Sequence, residues 1–488
     1  MNGIHRRLAP GQGWVLALTS VASLMVSLDN QVVATALPVI RLQLHASLAS
    51  LEWTVNAYTL SFAVLLLTGA ALGERLGRAR MLAVGTGLFA AASAGCALAP
   101  DAGVLVAARA VQGAGAALML PLAFALLAAA FPPERRAWAI GIFSSISGLA
   151  VMAGPVIGGA VAQGISWPWI FWLNVPVGVI MIPLIRARIP ADGSGPSKGG
   201  RASLDLTGLI LATGGAGGVV WGLIRANSIG WASPQTVSSL AAGTLLAVVF
   251  VAWELRAPDP MVPLRLFRSR AFAAGNTAAF CMFATLFGML FFMAQYLETG
   301  LGYGALGAGL RLLPGWAMLA VLAPFAGVLT ARVGTRTLVV GGLTMAAVGL
   351  TWVALIARSD LPYWELVPPL MVTGSGVSLA VPATQSGAMS AVPSAAIGQA
   401  SGTFNTLRQL GGVFGVAICA AVFAARGGYA QPAAFIAGFG PAMGACAGLA
   451  LLGALAGLAI PQRSGPAEPA PAARPEPVNA SRARLEPN

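Results

Sequence analysis

The chain has 488 residues, of which 57% are apolar and only 9% charged, with a formal net charge of +13. A soluble domain carries roughly a quarter of its residues as Asp, Glu, Lys and Arg, so this composition excludes a soluble enzyme, a nucleic-acid binder and a disordered chain together. The basicity instead fits the Lys/Arg bias that orients membrane proteins. Fourteen apolar segments follow in chain order, roughly 14–36, 47–73, 81–99, 103–131, 137–162, 166–187, 204–224, 236–255, 272–297, 305–330, 336–357, 364–389, 402–425 and 433–460, each close to or beyond the about 20 residues of a spanning helix. The expected fold is therefore an all-α membrane protein.

The distribution of positive charge tests that count. With the N-terminus inside and loops assigned alternately, 21 Lys and Arg fall inside and 5 outside. The five are Arg41, Arg225, Arg311, Arg358 and Arg426; Arg109 and Arg408 fall within segments. One helix too many or too few would invert the sign of every later loop, so fourteen helices with both termini cytoplasmic are predicted. After the second segment comes Leu72-Gly73-Glu74-Arg75-Leu76-Gly77-Arg78, and after the tenth comes Leu329-Thr330-Ala331-Arg332-Val333-Gly334-Thr335. This repeat pairs segments 1–6 with 9–14 and leaves 7 and 8 as an inserted pair. The organisation read from it is a six-helix bundle over 1–188, a Gly/Ser/Pro-rich linker over 189–203, inserted helices with their following loop over 204–270, a second six-helix bundle over 271–460, and a disordered tail over 461–488.

The loop Ala70-Ala71-Leu72-Gly73-Glu74-Arg75-Leu76-Gly77-Arg78-Ala79-Arg80 resembles the loop between helices 2 and 3 of the major facilitator superfamily, with Glu74 in place of the family's Asp. Three further stretches resemble the fourteen-helix drug:proton antiporter branch: Leu28-Asp29 through Ala36-Leu37-Pro38, Arg109-Ala110-Val111-Gln112-Gly113-Ala114-Gly115, and Gly141 with Gly154-Pro155-Val156-Ile157-Gly158-Gly159, where Ala150 replaces the motif's second Gly. Trp167 through Asn174-Val175-Pro176 and Gly178 is also typical of the branch. The resemblance implies two six-helix bundles with two inserted helices, and a conformational latch at Glu74, Arg75, Gly77 and Arg78. It also implies an export direction for the Gly-Pro-x-x-Gly-Gly stretch and a proton-driven antiporter function.

The residues carry an argument of their own. A carboxylate inside a spanning helix is costly and by default functional. Asp29 lies about 15 residues, roughly 22 Å, from the inner edge, and Arg109 about 6 residues, roughly 9 Å, below the outer edge, so the two reach a similar depth. Burial favours a neutral carboxyl and a nearby Arg a charged one; a pair whose separation changes with conformation binds and releases protons. Asp29 and Arg109 are thus the candidate proton-coupling pair, against a static buried ion pair.

Glu52, Asn56, Tyr58, Gln112, Phe283, Phe287, Gln295 and Arg408 are candidates for the substrate pathway. Glu52 either lines the outer vestibule or sits among headgroups, Arg408 either makes a substrate or latch contact or snorkels, and the Phe283–Phe287 face either forms an aromatic wall or meets lipid. Gly154, Gly158 and Gly159 permit close helix approach, and Pro155 removes one backbone hydrogen bond. The four cysteines lie apart inside apolar runs, so no metal site is expected, and no nucleotide-binding loop appears. No cofactor is expected.

The function read here is a proton-driven exporter of lipophilic, often cationic, drugs or toxic small molecules across a bacterial inner membrane. The partners are a small-molecule substrate, the proton, the bilayer and, in a host with an outer membrane, a periplasmic adaptor protein, with no nucleic acid. The alternatives are an exporter dedicated to one self-made antibiotic or metabolite, a proton-coupled importer, and a non-transporting sensor.

Overall fold

A computed structural model describes residues 11–189, 205–258, 260–392 and 396–461. The linker over 189–203, save Ile189, and the tail beyond Pro461 lie outside the described residues. The helices are α1 Gln12–Gln43, α2 Leu48–Leu76, α3 Arg78–Ala97, α4 Ala102–Ala130, α5 Pro133–Gly164, α6 Trp169–Trp172, α7 Asn174–Arg188, α8 Leu206–Ile229, α9 Pro234–Glu254, α10 Arg270–Gln295, α11 Ala305–Val333, α12 Thr335–Ile356, α13 Tyr363–Ser390, α14 Ile397–Ala424 and α15 Pro432–Gly457. Thirteen stretches among the described residues are long and apolar enough to span, α6 and α7 together forming one of them. The 29-residue α11 completes the predicted fourteen.

Several helices outrun the apolar windows. Arg41, read as a loop residue, lies in the last turn of α1, and Arg225 lies inside α8; Arg311, counted with the outer loops, falls within the apolar segment 305–330 and inside α11. The backbone ladder, once started, continues through a charged residue whose stem stays against apolar neighbours. Local chemistry sets the starts: Ser47, Asp101, Asp205, Ser233 and Ser269 each accept a hydrogen bond from a free backbone N–H of the first turn. The sixth span breaks at Leu173 because Pro176 has no N–H for the carbonyl of Trp172, and the break leaves Asn174 at the head of α7.

The internal repeat has the same geometry in both copies. Gly77 ends α2 and opens α3 at φ 96°, and Gly334 ends α11 and opens α12 at φ 87°. Both are left-handed positions that glycine adopts without steric cost. α1–α7 form one six-span bundle and α10–α15 the other, each packed mainly on itself, and α8 lies against both α2 and α14 beside the seam. Val220 and Ile224 of α8 share one apolar cluster with Leu60 and Val64 of α2 and Val413 and Ala417 of α14.

The packing between the bundles is lopsided. With fourteen crossings both ends of the described chain lie at one end of the molecule, here the terminal end; the opposite is the remote end. At the remote end a single core joins both bundles, holding Leu37, Ile40 and Val55 together with Phe291, Phe292, Tyr296, Ala305 and Phe423. At the terminal end the cores are separate: one holds Leu16, Phe62, Leu82, Leu126 and Ile185 of the first bundle, the other Ala274, Leu338, Ala383 and Ile460 of the second. The bundles share one core at the remote end and keep separate cores toward the terminal end, where Gly402 of α14 still meets Leu67 of α2.

Candidate functional site

Asp29 and Arg109, drawn together in the sequence by depth alone, form an ion pair in the first bundle. Arg109 Nη1 lies 2.5 Å from Asp29 Oδ2, and both side chains are 1% exposed. Five elements build the site. α1 supplies Asp29 and α4 supplies Arg109 and Gln112, one helical turn apart. Gln112 Nε2 donates to Asp29 Oδ1 at 2.8 Å and to Ser93 Oγ of α3 at 2.7 Å, and its Oε1 accepts from Arg109 Nη1 at 2.7 Å. Arg109 Nε donates to the Thr54 carbonyl of α2 at 3.1 Å, and Asn174 Nδ2 of α7 donates to Asp29 Oδ1 at 3.2 Å. The guanidinium carbon sits 4.1 Å above the Tyr58 ring. The carboxylate thus has three donors and the guanidinium three oxygen acceptors and an aromatic face, the satisfaction a buried charge pair requires.

Two candidates of the substrate pathway belong here instead. Gln112 has both side-chain polar atoms engaged inside the cluster, and Tyr58 is fully buried beneath Arg109, so neither offers a free group to a substrate. Ser93, Thr54 and Asn174 were not read as site residues. Asn174 had a signal, its place in the Trp167–Gly178 stretch; a single Ser or a backbone carbonyl gives none.

The glycine stretch of α5 has two faces. Gly154 and Gly158 face α1: a Cβ on Gly158 would lie 2.6 Å from the Val32 oxygen, and one on Gly154 would strike Gln31. Pro155 and Gly159 face α11 of the other bundle: a Cβ on Gly159 would lie 2.7 Å from Leu306 Cα, and one on Gly309 would lie 2.7 Å from the Pro155 carbonyl carbon. Gln163 Oε1 accepts from the Leu306 N–H at 3.0 Å beside this contact. Gly141 takes no part in either face: it is exposed, with no atom of another helix within 4 Å of where a Cβ would lie, while Ala139 and Phe143 on other sides of the same stretch pack into the core of the first bundle.

A second polar group closes the remote end. Arg41 of α1 lies 3.8 Å over the ring of Tyr429, which follows α14, and the Tyr429 hydroxyl donates to Gln295 Oε1 of α10 at 2.5 Å. Burial pushes the Tyr429 phenol up, with Arg41 acting against it and Glu52 with it, so the ring keeps its O–H. Glu52 is fully buried there, within electrostatic reach of Tyr429, and not among headgroups. Asn56, one turn further along α2, is also fully buried, and neither of its amide atoms has a hydrogen-bond partner among the described residues.

Phe287 is 7% exposed and belongs to the shared core, so it meets protein and not lipid. Phe283 is half-buried, with the Arg408 guanidinium 4.9 Å over its ring. Glu298 sits in a single π-turn after α10 with Oε1 buried and unbonded among the described residues. At the terminal end Glu74 and Arg75 are exposed and Arg78 half-buried, and Glu74 forms no ion pair among the described residues. No metal-ligand cluster occurs among the described residues.

Two six-span bundles that share a core at one end of a seam and keep separate cores at the other, with a charge pair buried in one of them, define a multi-pass membrane transporter. The chain belongs to the Major Facilitator Superfamily, whose profile matches residues 19–416. It is 33% identical over 423 residues to the tetracenomycin C resistance and export protein of Streptomyces glaucescens, covering 86% of this chain and 78% of that protein. It is 33% identical over 411 residues to the multidrug resistance protein Stp of Mycobacterium tuberculosis, covering 84% and 75%. With the methylenomycin A resistance protein of Bacillus subtilis it shares 32% over 412 residues, covering 83% and 86%. Among solved structures it is similar in fold to a peptide transporter POT in complex with sulfate, at a TM-score of 0.69 and 18% identity over 94% of this chain and 95% of that one.

Proposed function

We propose that the protein is a proton-coupled exporter of lipophilic small molecules in a bacterial inner membrane, working by alternating access, and that the structure is its inward-facing state. The bias of 21 against 5 positive charges toward the terminal end supports a cytoplasmic terminal end, with the separated cores facing inward and the shared core facing out. In a host with an outer membrane a periplasmic adaptor protein joins the path.

The observation that carries the reading is the Asp29–Arg109–Gln112–Asn174 cluster, fully inside the protein and drawn from α1, α4 and α7. A carboxylate at this depth costs about 3 kcal/mol or more to insert, and donors on α4 and α7 meet both of its oxygens. In the outward-open state the partners of Asp29 stand apart and the carboxylate takes a proton from outside. The protonated protein turns inward, where Arg109 and both amides close on the carboxyl group and the proton leaves to the cytoplasm. That release forms the cluster seen here, and the protein returns outward carrying substrate in place of the proton. Export rests further on the α5 glycine faces and on relatives whose names specify antibiotic resistance and export. The names of the tetracenomycin C and methylenomycin A proteins favour a narrower second reading, an exporter dedicated to one compound.

The test is Asp29→Asn and Asp29→Glu in everted vesicles with an imposed pH gradient. The amide variant inserts but loses pH-driven substrate flux, and the Glu variant keeps part. Full flux through Asp29→Asn overturns proton coupling at this site.

A further inference from the structure

The second bundle carries its own mid-membrane cation, and it is not neutralised. Arg408 lies about 10 residues into the span Gln399–Ala424, roughly 15 Å along the helix and so near the centre of a core about 30 Å thick. It makes no ion pair among the described residues, and its Nε is buried with no acceptor. The Phe283 ring lies beneath it, 4.9 Å from the guanidinium carbon to the ring centroid. Its counterpart Arg109 is fully engaged by Asp29. Arg408 has no such partner within reach of its own bundle: between Pro260 and Ile460 the only carboxylates are Glu298, Asp360 and Glu365, and all three sit at the remote end.

The face of α14 on which Arg408 lies is the seam face. Gly411 and Gly415 abut α10 at Phe280 and Ala284, Gly412 abuts Phe287, and Gly402 abuts Leu67 of α2 in the other bundle. At about 100° per residue, Ser401, Asn405, Arg408 and Gln409 fall within one arc about 100° wide that runs from the α10 contact to the α2 contact. A polar stripe in a spanning helix faces protein or a water-filled gap and not lipid. Here it borders the seam between the bundles, whose cores separate toward the terminal end.

We propose that Arg408 is the charge-recognition point of the transported molecule, and that the preferred substrate is an aromatic anion whose acidic group meets the guanidinium while its rings lie against Phe283. This deepens the exporter reading and rests on it. An uncompensated guanidinium at this depth is costly, and an acidic ligand group supplies its missing acceptors in a planar, two-bonded geometry that Lys does not offer. A cationic substrate meets repulsion in the same place, since the one carboxylate at similar depth, Asp29, is already held by three donors. The proposal thus sets an anion where the sequence reading expects lipophilic, often cationic, molecules.

The test is equilibrium binding to the full-length protein in nanodiscs, without any gradient, of three probes: 1-anilinonaphthalene-8-sulfonate, its uncharged parent N-phenyl-1-naphthylamine, and ethidium. The wild type binds the sulfonate about 10- to 100-fold tighter than the parent, the worth of a charge-assisted hydrogen bond, and ethidium weakest. Arg408→Gln erases that preference while the affinity for the uncharged parent stays within about twofold, and Arg408→Lys restores part of it. A wild type that binds ethidium at least as tightly as the sulfonate, an Arg408→Gln variant that weakens all three probes alike, or no binding of the sulfonate overturns the proposal. Because no gradient is applied, an intact anion preference alongside failure of the Asp29 flux test removes the exporter reading alone.

Discussion

Gly159→Ala separates the two faces of α5. A Cβ at 159 would lie 2.6 Å from the Ala305 carbonyl carbon and 2.7 Å from Leu306 Cα, whereas carbon atoms rest about 3.5–4.0 Å apart. α11 has to retreat by roughly 1 Å, because the atoms struck are backbone and have no rotamer to escape to. Overpacking of this kind costs about 1–3 kcal/mol. That cost falls only on the state in which the bundles touch at the remote end, so it shifts the population toward the outward-open state by about 5- to 150-fold. Gly158→Ala makes an equally close contact, 2.6 Å to the Val32 oxygen and 2.9 Å to Val32 Cα, but with α1 of the same bundle, which moves with α5 as one body. Its cost falls on both states and appears as lost thermal stability. The reporter is Asn56→Cys, at a fully buried position at the remote end, in a background whose four native cysteines are buried. Its rate of labelling by a membrane-impermeant maleimide from the remote face should rise with Gly159→Ala and not with Gly158→Ala. Equal labelling rates in the two variants refute the assignment of the faces.

Tyr429→Ala removes the ring that Arg41 of the other bundle covers and should speed the same labelling by about 2- to 10-fold, the worth of one cation–π contact, whereas Tyr429→Phe, which loses only a bond to Gln295 inside its own bundle, should not. Burial pushes the Tyr429 phenol up, so the difference between Tyr429→Ala and the wild type should not change with pH across the neutral range. Within the charge cluster, Asn174→Ala removes the longest of the three bonds to Asp29, and Gln112→Ala removes a bond to Asp29 together with an acceptor of Arg109. Gln112→Ala should therefore stop pH-driven flux in vesicles while Asn174→Ala only slows it, and the reverse order would contradict the network.

Fourteen spans, the inserted pair and the repeat were legible in the sequence because each has a local cause. A spanning segment must be apolar over about 20 residues, positive charge collects on one side, and a two-helix turn such as that at Gly77 and Gly334 requires a left-handed residue at a fixed place. Asp29 stood out because a carboxylate has few reasons to lie in such a segment, and Arg109 because its depth could be counted along a helix of known rise. What surrounds the pair was decided only by the tertiary structure. Asn174 reaches Asp29 from a helix that begins more than a hundred residues later, and Gln112 and Tyr58, which look like pathway residues in sequence, are turned into the cluster by how α2 and α4 pack on α1. The same holds for Arg41, which reads as a lone loop charge until the meeting of the bundles sets it over the Tyr429 ring. Periodicity gives the direction of a side chain about its own helix; it does not give which other helix stands there, and for a lone charge that neighbour decides its role. Asp29 and Arg109 neutralise each other inside one bundle, while Arg408 is left at the seam without a carboxylate.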